Sequence, residues 1–422
     1  MPAIEEIARV EDLRSVATPP YPPAQPLPPY ATGLFGPDVP IGSPAYAARD
    51  AADLTPSIVA LPSKPIPGRR AFGSLRPGQR YSVRIPDRWN GRLVVAGTPA
   101  QRSEFACDRL FADPLLARGY AYVSSNKGEG DGALLLEAGR RITIEGAEIP
   151  RMLFPGGAGL SFWFHAPGHR LERWRDDFVA ITERARELIR VACGREAEAT
   201  YAIGLSNGGY QVRRAIESSD LYDGALTWNA ALWTPEHNLF VLCEAIEAME
   251  RNEPERIEAL GFPPDIAGLD GDTLYRKNLR VYWYITAWLH AMHIDPSTSL
   301  AYGDVTDPAP TEQWNGRISS WRPTAAVRER IAGFANTGDI KCKLIDLASE
   351  YDYLTPPKIH FDPYGALVDA TGKRASYRSE LIPRAQHVDP WSEDPNYSGL
   401  AVGYPRVMSA FDALVRWVED AR

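Results

Sequence analysis

The stretch Tyr201-Ala202-Ile203-Gly204-Leu205-Ser206-Asn207-Gly208-Gly209-Tyr210 constrains this chain more than any other. It reads as a short apolar strand, a sharp turn with serine at its tip, and the start of a helix. That is the Gly-x-Ser-x-Gly pattern of a nucleophile elbow. The glycines have a steric task. The turn forces the serine into a strained backbone conformation, and its neighbours must lack a Cβ for strand and helix to approach. The strain holds the Ser206 hydroxyl out over a sheet edge, and the following helix aims its N-terminal amides at the same place. A second Gly-Leu-Ser, at Gly159-Leu160-Ser161, lacks both the closing glycine and a preceding strand.

The flanking pattern sets the fold class. Gln79 to Pro86 alternates as a strand does, and Arg92 to Gly97 is a continuous apolar run ending in glycine. A helix from about Ser103 to Ala117 follows, then a strand from Tyr120 to Ser125. Residues 129–170 are an excursion, with a hairpin suggested at Arg141 to Gly146. Leu171, Trp174, Phe178, Ile181, Ala185, Leu188 and Ala192 recur at three- and four-residue steps, and Gly194 can cap that helix. After the elbow come a helix to about Ser218 and a strand at Gly224 to Asn229. Strands and helices alternating at this spacing imply parallel βαβ crossovers and a doubly wound, mostly parallel α/β sheet.

The rhythm stops at Ala230. Residues 233–335 read as helical and aromatic, with helices at Leu239 to Met249, Leu279 to Met292 and Pro323 to Phe334. An insertion just past a strand's C-terminal end makes a natural lid. The sheet resumes at Ile340 to Ala348 and ends at Tyr377 to Ile382, before a helix from about Pro405 to Glu419. Residues 1–68 are expected to form an extended proline-rich arm, because Pro19 to Pro23 and Pro26 to Pro29 suit neither helix nor central strand. The expected organisation is therefore an arm at 1–68, an α/β core at 69–232 and 336–422, and a helical insertion at 233–335.

Composition removes several classes of function. A formal charge of −8 without a Lys/Arg cluster argues against nucleic-acid binding. No apolar run is long enough to span a membrane. Cys107, Cys193, Cys243 and Cys342 have no metal-ligand spacing and read as reduced thiols. No dinucleotide motif is present, so neither a cofactor nor a metal is expected. Met1 to Val10 is acidic and mixed, which suggests a cytoplasmic chain, or a secreted one if a leader once preceded it.

A serine hydroxyl needs a base to activate it, and the base needs an acid to fix its tautomer. In a doubly wound sheet those partners sit after later strands, in the order serine, acid, histidine. Asp352 follows the penultimate strand and His387 the last, which makes Ser206, Asp352 and His387 the candidate triad. Glu350 is the reserve acid. The other six histidines fit that order less well: His237, His290 and His293 lie in the insertion, His165 and His169 precede Ser206, and His360 lies in a crossover. The amides of Asn207 and Thr98 are the candidate oxyanion hole, since Pro99 has no N–H.

These residues together resemble an α/β-hydrolase serine esterase. Trp89-Asn90-Gly91-Arg92-Leu93-Val94-Val95 and Leu116-Ala117-Arg118-Gly119-Tyr120-Ala121 are similar to the tannase and feruloyl esterase group, while the Ser-Asn-Gly-Gly elbow is closer to hydroxybutyrate-oligomer hydrolases. The resemblance implies ester hydrolysis through an acyl-enzyme. It covers about residues 75 to 230 and 335 to 422. It breaks at Leu205 and Val388, where tannase-like enzymes place the cysteines of a disulfide beside the site, so the tannin substrate class is not carried over. Arg102, Lys127, Trp163, Trp228 and Tyr351 are the candidate substrate contacts. Lactone or amide hydrolysis and acyl transfer use the same triad and stay open, as does a non-catalytic binding protein on this fold. The expected partner is a small or oligomeric ester.

Overall fold

A computed structural model describes residues 7–17, 32–33, 59, 61–76, 79–99, 104–127, 133–136, 143–144, 147–148, 151–153, 159–162, 171–295, 318–389 and 391–420. Among these, nine strands join in one sheet: β1 (Ala8–Val10), β2 (Gly68–Arg76), β3 (Gln79–Pro86), β4 (Arg92–Gly97), β5 (Ala121–Ser125), β6 (Ala199–Leu205), β7 (Gly224–Trp228), β8 (Lys343–Ser349) and β9 (Tyr377–Ile382). Their spatial order is β1-β2-β3-β5-β4-β6-β7-β8-β9. The first three strands and the β3–β5 pair run antiparallel. From β5 to β9 every pairing is parallel. This is the doubly wound, mostly parallel α/β architecture that the sequence pattern implies, with the serine strand β6 inside the parallel half.

Strict alternation along the central strands feeds two separate cores. Val94, Ala96, Tyr201, Ile203 and Leu205 face one side, where they meet Leu110, Phe111, Leu115 and Leu116 from Asp108–Ala112 and helix α1 (Asp113–Ala117). Phe411 and Leu414 of the C-terminal helix, Tyr404–Glu419, close the same side. Leu93, Val95, Ala121, Val123 and Ala202 face the other, against helices α2 (Trp174–Cys193) and α3 (Asn207–Ser218). Being covered on both faces, the strands read as apolar runs. Each large side chain so buried contributes on the order of 2 kcal/mol. The periodic face of α2, from Trp174 through Phe178, Ile181, Ala185 and Leu188, is buried as its spacing predicts. Gly194, at φ 70°, ends that helix in the left-handed conformation that costs glycine nothing.

Between β7 and β8 the chain leaves the sheet for helices α4 (Val241–Glu250), α5 (Pro254–Ala259), α6 (Leu274–Asn278), α7 (Tyr284–Ile294) and α8 (Ala325–Gly333). Their aromatic residues mostly build a third core. Phe240 packs against Trp321 with centroids 4.5 Å apart and the rings tilted by 56°, and meets Trp233 edge-on at 5.5 Å. Trp283 is buried and donates to the Tyr353 carbonyl at 2.7 Å. Tyr210 of α3 and Tyr353 and Leu354, just past β8, belong to this cluster, so the inserted helices pack over the C-terminal ends of the strands. The return into the sheet is tied down by Glu217 of α3, which accepts from the amides of Thr337 and Gly338 at 3.1 and 3.0 Å.

Three sequence readings shift. Within the stretch expected as an extended arm, Ala8–Val10 adds an edge strand to β2. The proline-rich stretches at 19–31 lie outside the described residues. The helix expected from Ser103 starts at Asp108, after turns that bury Phe105 and Cys107. The strand expected from Ile340 begins at Lys343, because Gly338 turns the chain at φ 73° and the Lys341 amide is held by the Ile216 carbonyl at 2.9 Å.

Candidate active site

Ser206 ends β6 and caps α3 with φ 58° and ψ −126°, a combination that non-glycine residues rarely adopt. The conformation is over-determined by its surroundings. Its amide donates to the Trp228 carbonyl at 3.0 Å, and its carbonyl accepts from Tyr210 and Ala231, both at 3.1 Å. A Cβ on Gly208 would collide with the Gly97 carbonyl, and one on Gly204 with that of Gly208. Glycine is therefore what lets α3 sit against the ends of β4 and β6, and it brings the Thr98 loop alongside the serine.

Two strands further on, Asp352 and His387 meet. His387 Nδ1 lies 2.7 Å from Asp352 Oδ2, and Asp352 is wholly buried. Its Oδ1 accepts from the amides of Leu354 and Thr355, each at 2.8 Å, and its Oδ2 accepts from the Thr355 hydroxyl at 2.6 Å. Burial opposes ionisation of this carboxyl, but His387 and the Thr355 bonds outweigh it and hold the group below the usual carboxylate range. An ionised Asp352 only accepts, so His387 Nδ1 carries a proton and donates it to Oδ2.

Asn229 joins the two halves. It follows β7 at φ 49°. Its Nδ2 donates to the His387 carbonyl at 2.6 Å and to Ser349 Oγ at 3.0 Å, while its Oδ1 accepts from the Ser349 amide at 2.7 Å. The Trp228–Ala231 segment thus bonds to Ser206 on one side and to the His387 loop on the other. Asn229 and Thr355 were both missed from sequence. The only signal was an asparagine closing an apolar strand and a threonine three residues after the acid.

The remaining candidates scatter. Thr98 donates its hydroxyl to the Ser125 carbonyl at 2.9 Å, and its carbonyl accepts from Lys127 Nζ at 2.6 Å. Lys127 was a candidate substrate contact from its place in a loop. It is buried instead, with its ammonium on Thr98 and over the Trp174 ring at 4.6 Å, so it braces the loop. Trp228 needs the same correction: its ring is fully buried in the sheet core and donates to Ser349 Oγ at 3.2 Å. Tyr351 is half-buried against the inserted helices. Arg102 and Trp163 lie outside the described residues. Glu350, the reserve acid, accepts from the Arg384 amide at 2.7 Å, while His387 pairs with Asp352. His360 is buried and accepts from the Leu232 amide at 3.0 Å, and burial pushes it down to about 3. His290, set aside from sequence, comes within 3.3 Å of the Asn207 side chain.

Asp389, two residues beyond His387, carries a pH dependence. Its Oδ2 accepts from the Gly403 and Tyr404 amides, at 2.8 and 3.2 Å, at the start of the C-terminal helix. Burial raises its carboxyl to about 6 against those bonds. Between about pH 4 and 6 the folded chain therefore holds a proton that the unfolded chain has released. That contribution to stability is full below about pH 4 and lost as the pH rises through 6. Asp389→Asn cannot titrate. In urea melts it is expected to gain up to about 3 kcal/mol on the wild type between pH 4 and 7, and a constant difference would refute the assignment.

No protein-family model matches the chain, and no curated protein sequence does. Solved structures of similar fold include tannin acyl hydrolase from Aspergillus niger, at 12% identity over 87% of this chain and 81% of that one, with a TM-score of 0.49. Feruloyl esterase B from Aspergillus oryzae is similar at 14% identity over 87% and 85%, with a TM-score of 0.46. Acylaminoacyl peptidase from Pyrococcus horikoshii is similar at 13% identity over 82% of this chain, which spans 40% of that enzyme's length, with a TM-score of 0.43. The likeness is one of fold. Among the described residues no helix is long and apolar enough to cross a membrane.

Proposed function

We propose that the chain is a serine hydrolase that cleaves a carboxylic ester through an acyl-enzyme. The observation that carries the reading is the 2.7 Å contact between His387 Nδ1 and the buried, ionised Asp352 at the end of the sheet that holds the strained Ser206 turn. Ser206 Oγ attacks the carbonyl carbon and gives its proton to His387 Nε2. The amides of Asn207 and Thr98 receive the developing oxyanion, each such donor contributing about 3 kcal/mol. His387 returns the proton to the departing alkoxide. Water, deprotonated by the same nitrogen, then attacks the acyl carbon, and the acid leaves with Ser206 restored.

The helices at 241–294 and 325–333 act as a lid over this site. Tyr351, Arg102 and Trp163 stay as substrate contacts on the sequence argument alone.

A fluorophosphonate probe tests the reading. Covalent labelling of Ser206, located by peptide mass and abolished by preincubation with p-nitrophenyl butyrate, is the expected result. An intact, folded chain that neither labels nor releases p-nitrophenol would exclude the hydrolase and favour a binding role. A parallel panel of lactones and anilides, turned over faster than esters, would move the assignment to those bonds.

A further inference from the structure

Asn207 follows the nucleophile, yet its side chain is governed by a residue from the insertion. His290 lies on α7, buried, with its ring 5.4 Å from that of Trp233. Its Nδ1 is 2.7 Å from the Thr286 carbonyl of the same helix. A carbonyl only accepts, so Nδ1 carries the proton. Burial, aided by the Lys127 ammonium nearby, pushes the imidazole down to about 4, which keeps it neutral. Nε2 is therefore a lone pair, and the Asn207 amide group 3.3 Å away must present Nδ2–H to it.

This proton inventory fixes the other end of the carboxamide. Asn207 Oδ1 is buried and has no hydrogen-bond donor among the described residues. A buried amide oxygen without a donor carries a desolvation penalty that a bound donor removes. Asn207 is the residue after Ser206, and its bond to His290 sets its carboxamide between the elbow and the inserted helix, the region that the hydrolase reading gives to the ester.

We propose that the His290–Asn207 pair selects substrates carrying a hydrogen-bond donor near the scissile carbonyl. Asn207 Oδ1 accepts from a hydroxyl or amide N–H on the acyl or leaving group, and His290 is a positioning residue that dictates the polarity. An imidazole with its proton on Nε2 would turn the carboxamide round and favour an acceptor such as a methoxyl oxygen. The pair thus works as a sign selector whose setting comes from Thr286, at one remove from the substrate. This inference rests on the hydrolase reading.

The test uses p-nitrophenyl alkanoates with hydroxyl or methoxyl at C2 or C3. In the full chain, kcat/KM is expected to favour the hydroxyl ester at one of these positions by about tenfold or more. His290→Phe frees the carboxamide and should bring the ratio to within about twofold, while His290→Gln, whose side-chain oxygen can accept from Asn207, should keep most of the preference. Asn207→Leu retains the backbone amide and should also lose the preference, which provides a second route if one variant folds poorly. Fluorophosphonate labelling of Ser206 reports the nucleophile separately. No preference in the labelled wild type, or a preference that survives both His290→Phe and Asn207→Leu, overturns the selector and leaves the hydrolase reading standing. Absent labelling in the wild type overturns the hydrolase reading itself.

Discussion

Replacing Ser206 with alanine is expected to lower turnover of p-nitrophenyl butyrate about a million-fold, as loss of a triad serine does elsewhere. The activity left above background would come from the proposed oxyanion hole of the Asn207 and Thr98 amides, which can still steady an oxyanion formed by water. The size of the loss follows from division of labour. In the proposed mechanism His387 and Asp352 serve to receive one proton, and without the hydroxyl there is no serine proton to receive. The backbone adds a second readout. Ser206 sits at φ 58° and ψ −126°, a conformation costing about 1–3 kcal/mol in an L residue. Alanine keeps that strain, whereas glycine relieves it. Ser206→Gly should therefore be as inactive as Ser206→Ala yet more stable in urea by about that amount. Wild-type turnover in either variant would remove Ser206 from the chemistry, and equal stability of the two would remove the strain.

The same backbone strain explains what was legible beforehand. Glycines at 204 and 208 are demanded by close backbone contacts, so the turn announces itself in five residues. The strands around it announce themselves because both faces are covered, which turns Arg92–Gly97 and Ala199–Leu205 into apolar runs. Chain order then put Asp352 and His387 at strand ends. Lateral contacts leave no such trace. Asn229 holds the His387 carbonyl across 158 positions, and His290 reaches Asn207 across 83. Nothing local distinguishes those residues from others of their type. Lys127 misled for a physical reason: a lysine in a Gly-rich loop is normally solvated, whereas this one is buried with its ammonium on the Thr98 carbonyl and over the Trp174 ring. Trp228 misled because the end of a strand does not reveal whether its last ring turns into the core or over the site.

Changing Asp352 to asparagine is expected to cost about 10⁴ in kcat with the fold retained, and the reason lies in where each proton must go. In the wild type, Oδ1 takes two backbone amides and Oδ2 takes the Thr355 hydroxyl and His387 Nδ1–H. An asparagine keeps its oxygen on the two amides, since turning round would set its NH₂ against both. Its Nδ2–H then faces His387, which can satisfy it only by giving up the proton on Nδ1 and moving it to Nε2. Nε2, the base of the proposed mechanism, thereby becomes a donor and cannot take the serine's proton. Thr355 strengthens the trap. Its hydroxyl lies 2.6 Å from Asp352 Oδ2 and 3.1 Å from the Asn229 carbonyl, so it can turn to the latter when the carboxylate is lost. The substitution therefore rewires tautomers with little change in shape. Substrate binding should be preserved, with KM within about threefold of wild type and the whole deficit in kcat. A KM that rises in step with the fall in kcat/KM would mean that Asp352 shapes the binding site and leaves the proton path to another group.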